Sequence, residues 1–143
     1  MKNSIAIFSI LLITSFCSVA LGQNKTDSNI IDKQLDACLD SSQNYTTYGM
    51  MQCEVRARDA WDKKLNKYYK LLMQTLSEDE KQKLKASQKN WLAFRDSENI
   101  FSSTIYNNME GTMWGIAKIQ SELELIKHRT LELKAYYSDK APR

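Results

Sequence analysis

The sequence has little of the two residues that interrupt helices. Its 143 residues include 4 glycines and 1 proline, which suits helices joined by short turns. No segment of strand length alternates between apolar and polar residues, so a β-sheet is not expected. Hydrophobic residues make up 43% of the chain, which excludes intrinsic disorder. The length corresponds to one domain with a single modest core.

The chain also lacks the motifs of hydrolases and nucleotide-binding enzymes. It contains no G-x-S-x-G, no H-E-x-x-H and no phosphate-binding loop. The single histidine, His128, lies in a lysine-rich stretch, where we expect it to be solvated rather than poised as a base. The net charge is only +3 and opposite charges are interleaved, so no electrostatic footprint for nucleic acid appears. We therefore expect no catalytic residue, no cofactor and no nucleic-acid partner.

The longest apolar run lies at the N-terminus and indicates a signal peptide. A lysine precedes the run IAIFSILLITSF, and Ala20 and Gly22 supply the small residues that signal peptidase requires. We predict that residues 1–22 are removed and that residues 23–143 form a periplasmic or secreted domain without stable membrane insertion. A retained anchor is an alternative, although the run is short for a span. Lipidation at Cys17 is another, although a bulky residue precedes it.

Removal of this segment leaves two cysteines, Cys38 and Cys53, an even count in an oxidising compartment. We predict a disulfide between them, and the 15-residue separation corresponds to roughly 3 kcal/mol of stabilisation in the chain-entropy model. A zinc site completed by His128 is the alternative. Two cysteines so far apart and one distant histidine lack the spacing of zinc ligands, so we expect no metal.

Apolar residues recur at three- and four-residue spacing in four segments. A short helix fits residues 30–42, and a second, longer helix fits residues 48–76. The turn QNYTT separates them. Together with the two helices that follow, these segments predict an all-α antiparallel bundle, in which the disulfide clips one short N-terminal helix to three longer helices.

The third and fourth helices are marked by their start signals. Ser77 and Glu80 have the spacing of a capping box, which predicts a third helix over residues 77–107. Gly111 marks the next break, and Thr112 is the candidate N-cap of the last helix.

Charged residues lie within the apolar arcs of two helices. On a helical wheel the arc of the third helix contains Leu84, Trp91, Leu92, Phe94, Phe101 and Ile105. Arg95 falls near the middle of that arc, with Asp96 beyond its edge. We predict that Arg95 reaches Asp62, Asn66 or a backbone carbonyl across the helix interface, because an unpaired buried guanidinium is costly. In the alternative interpretation, Arg95 lines a groove and binds the carboxylate of a partner. Arg58, four residues before Asp62, can pair with it along the second helix.

Aromatic residues near the two loops are candidate partner contacts. Most of the tyrosines are expected in the core or at its boundary. The loops QNYTTYG and YNNMEGTMW carry Tyr45, Tyr48, Tyr106 and Trp114, and such rings make good anchors for a protein partner.

Several of these blocks form a recognisable series. They are Cys38, MMQC ending at Cys53, WDKKLNKYYKLL from 61, LKASQKNWLAFRD from 84 and HRTLEL from 128. The series resembles the LprI-like N-terminal domain family of lysozyme inhibitors, small exported bacterial helical domains, over about residues 35–134. The family motif falls on Asp62, Leu65, Asn66, Tyr68, Gln88, Trp91, Arg95, Asp96 and Arg129.

The resemblance implies a binding module of the bacterial envelope that inhibits lysozyme or a related cell-wall glycosidase and is not itself an enzyme. The alternative is a periplasmic interaction or scaffold domain with no inhibitory activity. This chain departs from the family in one respect. Relatives commonly carry a cysteine soon after the Arg-Asp pair and another in the last helix, whereas this chain has Asn99 and no cysteine beyond Cys53. We therefore expect a looser tie between the third and fourth helices.

Overall fold

The fold comes from a computed structural model, which describes residues 30–140. Four α-helices and no strand form within these residues: α1 (Ile30–Leu39), α2 (Thr47–Thr75), α3 (Glu78–Asn107) and α4 (Met113–Lys140). The all-α prediction is confirmed. None of these four helices combines the length and apolar composition that a membrane span requires. The predicted signal peptide, with Cys17, lies outside the described residues.

The first helix ends three residues earlier than predicted. A single 3₁₀ turn at Ser42–Asn44 follows α1, and α2 then starts after Thr46, whose hydroxyl accepts a hydrogen bond from the Gly49 backbone N–H. A threonine at this position satisfies one of the free N–H groups of the first helical turn. The polar residues from 40 to 46 therefore belong to a structured turn rather than to the helix.

Consecutive helices run antiparallel, so α2 and α4 lie side by side in the same direction. Three contacts mark their common register from start to end: the Thr47 and Thr112 hydroxyls are 3.1 Å apart, Gln120 donates to Glu54, and the Tyr68 ring lies 6.3 Å from that of Tyr137. This pair of helices forms the centre of the bundle. Helix α1 packs against α2, and α3 packs against α4.

Trp61 is the residue around which the core is built. Its side chain is 0% exposed and joins three helices. The indole Nε1–H donates to Asp32 of α1 at 3.2 Å, and the Trp61 carbonyl accepts from the buried Thr130 hydroxyl of α4 at 3.3 Å. The other buried members of this core are Ile31, Ala57, Leu65, Leu72, Leu84, Leu123, Ile126 and Leu133.

Most of the apolar arc predicted for α3 lies outside the core: Leu84 is in it and Trp91 packs against it, but the prediction was wrong for the other four residues. Leu84 is the one buried residue among those of α3, while Leu92, Phe94, Phe101 and Ile105 are between 38% and 61% exposed. The inner face of α3 follows Leu84, Gln88, Trp91 and Arg95 at three- and four-residue spacing. The bulky phenylalanines fall on the flank of this line, where no described helix covers them.

The corner between α2 and α3 is closed by the predicted capping box. The Ser77 hydroxyl accepts from the Glu80 N–H, and the Glu80 carboxylate accepts from the Ser77 N–H at 2.9 Å. Lys140, at the end of α4, donates to the same carboxylate at 2.5 Å. The hydrogen bond from Lys140, followed by those from Ser77, lowers the pKa of Glu80 to about 2.

This shift predicts acid-dependent stability at the corner. Because the folded-state pKa of Glu80 lies below its ordinary value of 4.5, the contribution is fully present above that value and is lost as the pH falls through about 2. Urea unfolding of the wild type and of Glu80→Gln, which can keep the capping box, is expected to show a wild-type advantage at pH 6 that shrinks towards pH 2. A difference that stays constant over this range would contradict the assignment.

Candidate functional site

The predicted disulfide between Cys38 and Cys53 is confirmed. It joins the last turn of α1 to the second turn of α2, and Cys53 is buried. Arg56, which the sequence analysis did not single out, places its Nη2 atom 2.6 Å from the sulfur of Cys38 and 3.4 Å from that of Cys53. The Asn44 side chain donates to the Cys38 carbonyl at 2.9 Å. The disulfide therefore fixes both the first helix and the turn that follows it.

Arg95 does not form the contact predicted for it. Its guanidinium donates from Nε and Nη2 to Asp96 on the same helix, at 3.1 and 2.8 Å, and lies 5.5 Å from the ring centre of Trp91. Asp62 accepts from the Asn66 amide at 3.1 Å, again on one helix. The prediction that Arg95 hydrogen-bonds to Asp62 or Asn66 was wrong, because a groove separates α2 from α3 at this level.

Arg129 makes the interhelical tie that the sequence analysis assigned to Arg95. Its side chain is buried and donates to Gln88 at 3.2 Å and to Ser87 at 3.0 Å, both on α3. It also pairs with Glu132 on its own helix at 2.6 Å. The signal was present in the sequence, since Arg129 falls between the apolar positions Ile126 and Leu133 of α4. A buried guanidinium with this set of acceptors is a structural link between α3 and α4.

Arg58 also differs from its predicted pairing. Instead of Asp62, it contacts Asp59 at 2.9 Å and Glu122 of α4 at 3.0 Å. Burial alone would lower the pKa of Arg58, but the hydrogen bonds to the two carboxylates outweigh burial and raise it. Arg58 therefore links α2 to α4 beside the groove.

The groove between α2 and α3, called the α2–α3 groove below, contains most of the predicted polar residues. It consists of two cavities of about 480 and 360 Å³ that share Asp62 and Arg95 in their walls. Asn66, Gln88 and Trp91 line one cavity, and Glu122 and Ile126 of α4 close the other. The residues are thus brought together around a space rather than in direct contact.

None of the four aromatic residues predicted to contact a partner lines this groove. They lie at one end of the bundle. The bond between Thr47 and Thr112 holds the two loops together there. Tyr45 and Tyr48 are 68% and 71% exposed, and Trp114 is 38% exposed. The Tyr106 ring stacks on Trp114 with centroids 6.1 Å apart and planes at 17°. We call the surface formed by Tyr45, Tyr48, Met113 and Trp114 the end face.

The loops of the end face are held by short-range contacts. A Cβ on Gly49 would lie 2.7 Å from the Asn44 backbone, so only glycine permits this approach of the turn to α2. Gly111 has φ 103°, which favours glycine, and ends the connection before α4. The Trp114 indole donates to the Glu110 carbonyl at 2.9 Å. The end face is therefore presented by preformed loops.

The end face also lies at two helix N-termini. Helices α2 and α4 both begin there, and neither carries an acidic residue in its first turn. The N-terminus of a helix carries a partial positive charge from the aligned peptide dipoles. The end face is therefore suited to an acidic surface.

The residues of the α2–α3 groove and of the end face lie within the range that one family model matches. The model of the lysozyme inhibitor LprI family matches residues 38–133, from the disulfide to the core of α4. The chain belongs to the LprI family. No curated protein matches it. The name of the family describes inhibitors of lysozyme.

One solved structure resembles this LprI family member closely enough to support its fold. It is the crystal structure of an uncharacterized protein from Burkholderia thailandensis, with 28% identity and a TM-score of 0.73. The match covers 77% of this chain and 54% of that protein. The chain therefore spans about half the length of the protein it matches.

The position of Arg95 predicts a small effect on stability. Arg95→Ala removes an ion pair with the exposed Asp96 and a contact with Trp91, which together are expected to cost about 1 kcal/mol or less. We expect Arg129→Ala to cost several times more, since it removes a buried side chain together with its hydrogen bonds to Gln88 and Ser87 and its ion pair with Glu132. Thermal or urea unfolding measures both. Equal losses for the two variants would indicate that Arg95 carries more of the fold than its contacts imply.

Asn99, a position singled out in the sequence analysis, lies in the wall of the α2–α3 groove. Its Oδ1 atom is buried and has no hydrogen-bond partner within residues 30–140. Buried polar atoms are nearly always paired in native proteins. The sequence analysis named Asn99, but its unpaired oxygen becomes visible only in the fold.

Proposed function

We propose that this LprI family member is exported and inhibits a lysozyme or a related cell-wall glycosidase by inserting its end face into the substrate cleft. The N-terminal segment, residues 1–22, supports the proposed export, because it has the composition of a cleaved signal peptide. The observation that supports inhibition best is the end face itself, where two preformed loops expose Tyr45, Tyr48 and Trp114 together. In this proposal the protein acts as an inhibitor and has no catalytic role of its own.

The chemistry of the end face complements that of a glycosidase cleft. These enzymes place two carboxyl groups on either side of the scissile bond. The phenol groups of Tyr45 and Tyr48 have no hydrogen-bond partner within residues 30–140 and are free to donate to such carboxylates. The N-termini of α2 and α4 add partial positive charge behind them. Large rigid rings also bury much area at low cost in conformational entropy, so they suit a cleft that normally binds sugar rings.

Inhibition assays with purified residues 23–143 against several lysozyme types test this proposal. We expect inhibition at micromolar concentration or below, weakened at least tenfold by Tyr48→Ala or Trp114→Ala, as for central aromatic anchors of other interfaces. Tyr136→Ala is the matched control, because this tyrosine is exposed on α4 but distant in sequence from both loops. Absence of both inhibition and complex formation at micromolar concentration would reject the proposal.

The charge of the loop provides a second variant for the same assay. Glu110 is the acidic residue between α3 and α4 and would face the carboxylates of the cleft. Glu110→Gln is expected to strengthen inhibition, mostly through faster association at low salt. Weaker inhibition by this variant would mean that the target surface is basic.

A scaffold role without inhibition is the second candidate. The observation that favours it is the exposed flank of α3, where Phe94, Phe101 and Ile105 lack cover from the described helices. Pull-down from a periplasmic extract distinguishes the two functions. Recovery of a partner that is not a glycosidase, and its loss with Phe94→Ser and Phe101→Ser but not with Tyr48→Ala, would favour the scaffold.

A further inference from the structure

We infer that the α2–α3 groove is a binding site for a carboxylate-bearing oligosaccharide. The inference goes beyond the proposed inhibition and does not depend on it, since the groove is built from residues other than those of the end face. Its two cavities, of about 480 and 360 Å³, fall within the range of about 300 to 1,000 Å³ that is usual for small-molecule sites. Arg58 and Tyr69 mark an extent of about 16 Å along α2, enough for several linked rings.

The wall of the groove offers unpaired acceptors to the hydroxyl groups of a sugar. The Asn99 Oδ1 atom is buried without a partner in the described part of the chain. The Asp62 carboxylate accepts from the neutral Asn66 amide and forms no ion pair with a described cation. A buried acceptor without a donor is costly, and a hydroxyl donor from a ligand would remove that cost.

The rim of the groove carries cations that are not paired. Lys63, Lys85 and Lys89 line the two cavities and form no ion pair with residues 30–140. The Nη1 atom of Arg95 makes no hydrogen bond there either, because its contacts with Asp96 use Nε and Nη2. These groups favour a ligand that carries carboxylates in addition to hydroxyl groups.

The aromatic residues of the groove favour a sugar over a peptide. Trp91 and Tyr69 are half-buried and line the same cavity, where a flat ring can pack against the C–H face of a sugar. The aliphatic residues Leu65 and Ile126 are buried beneath the groove, and Leu92 is the partly exposed aliphatic residue of its lining. A hydroxyl-rich, anionic ligand satisfies the acceptors, the cations and the rings together.

Calorimetric titration of purified residues 23–143 tests the inference. The probe is a tetrasaccharide of alternating N-acetylglucosamine and N-acetylmuramic acid, with uncharged chitotetraose and a glutamate-rich peptide for comparison. We expect the acidic tetrasaccharide to bind about tenfold more tightly than chitotetraose, and the peptide to bind more weakly than either. Tighter binding of the peptide, or no binding of the acidic tetrasaccharide at millimolar concentration, would overturn the inference.

Paired variants assign the binding to the groove. Asn99→Leu and the double variant Lys63→Ala, Lys89→Ala are each expected to weaken binding about tenfold. Asn90→Leu and the double variant Lys67→Ala, Lys70→Ala are the matched controls, since these exposed residues of α3 and α2 lie outside both cavities. Asn99→Leu is also expected to melt at or above the wild-type temperature, because it removes an unpaired buried oxygen. Unchanged binding in the groove variants, or equal loss in the controls, would overturn the assignment.

Discussion

Trp61→Ala is expected to destabilise the protein by about 3–5 kcal/mol, the largest effect of any single substitution considered for this fold. The ring is fully buried in the core, to which α1, α2 and α4 contribute residues. Loss of the ring leaves a cavity and removes the hydrogen bond to Asp32 of α1. The Asp32 carboxylate then keeps one partner, Lys127. Urea unfolding followed by far-ultraviolet circular dichroism measures the change. A smaller dependence of the free energy of unfolding on urea concentration would indicate that α1 has already detached in the folded variant.

Trp114→Ala provides the control for this prediction. That indole is partly exposed, stacks on Tyr106 and lies on the end face, so its removal is expected to cost about 1 kcal/mol or less. The two tryptophans should therefore separate stability from the proposed inhibition: Trp61→Ala unfolds easily, whereas Trp114→Ala folds and loses the contact proposed for the end face. Similar losses of stability in both variants would contradict the division between core and end face.

The helices and the disulfide were predictable because each depends on local information. Apolar spacing over 20 to 30 residues defines a helix whatever it packs against, and the Ser77–Glu80 capping box is confirmed at the start of α3. Two cysteines in the predicted mature chain permit one pairing. The end of α1 was less accurate, because a polar 3₁₀ turn continues the same spacing for a few residues.

The side of α3 that faces the bundle was not predictable in the same way. A helical wheel gives the direction of the apolar arc but not how deeply neighbouring helices cover it. Here the inner face of α3 runs along Leu84, Gln88, Trp91 and Arg95, and the phenylalanines lie beside it. Arg129 and Arg95 illustrate the consequence, because both lie among apolar positions in the sequence. Arg129 is buried and donates to α3, whereas Arg95 lines a groove.

Three of the four residues of the candidate end face were predictable, but their arrangement was not. Loop position alone identified Tyr45 and Tyr48 near one turn and Trp114 near another. Their meeting at one end depends on the parallel register of α2 and α4 and on the bond between Thr47 and Thr112, which connects residues 65 positions apart. No local pattern carries this information.

The loop between α3 and α4 is held by noncovalent contacts within the described residues. These are the stacking of Tyr106 on Trp114 and the bond between Thr47 and Thr112. Hydrogen bonds at exposed sites are individually weak. Within the described residues, the covalent tie near the end face is the Cys38–Cys53 disulfide, which fixes the turn that precedes Tyr45 and Tyr48.

Loss of the Cys38–Cys53 disulfide is accordingly expected to have the second-largest effect. The bond closes a 15-residue loop, and its removal by reduction or by Cys38→Ser with Cys53→Ser is expected to cost roughly 3 kcal/mol. At 10 residues, α1 is too short to persist as an isolated helix. Without the crosslink, it retains Ile31 in the core and the contacts of Asp32 with Trp61 and Lys127.

Urea unfolding with and without dithiothreitol, combined with amide hydrogen exchange, tests this expectation. Reduction should accelerate exchange in α1 and in the Ser42–Asn44 turn far more than in the interior of α4, because the buried face of α4 keeps its packing on α2. It should also weaken the proposed inhibition, since Tyr45 and Tyr48 follow the turn that the disulfide fixes. Uniform acceleration across all four helices would instead mean that α1 is required for the whole bundle to fold, and the end face could not then be separated from the core.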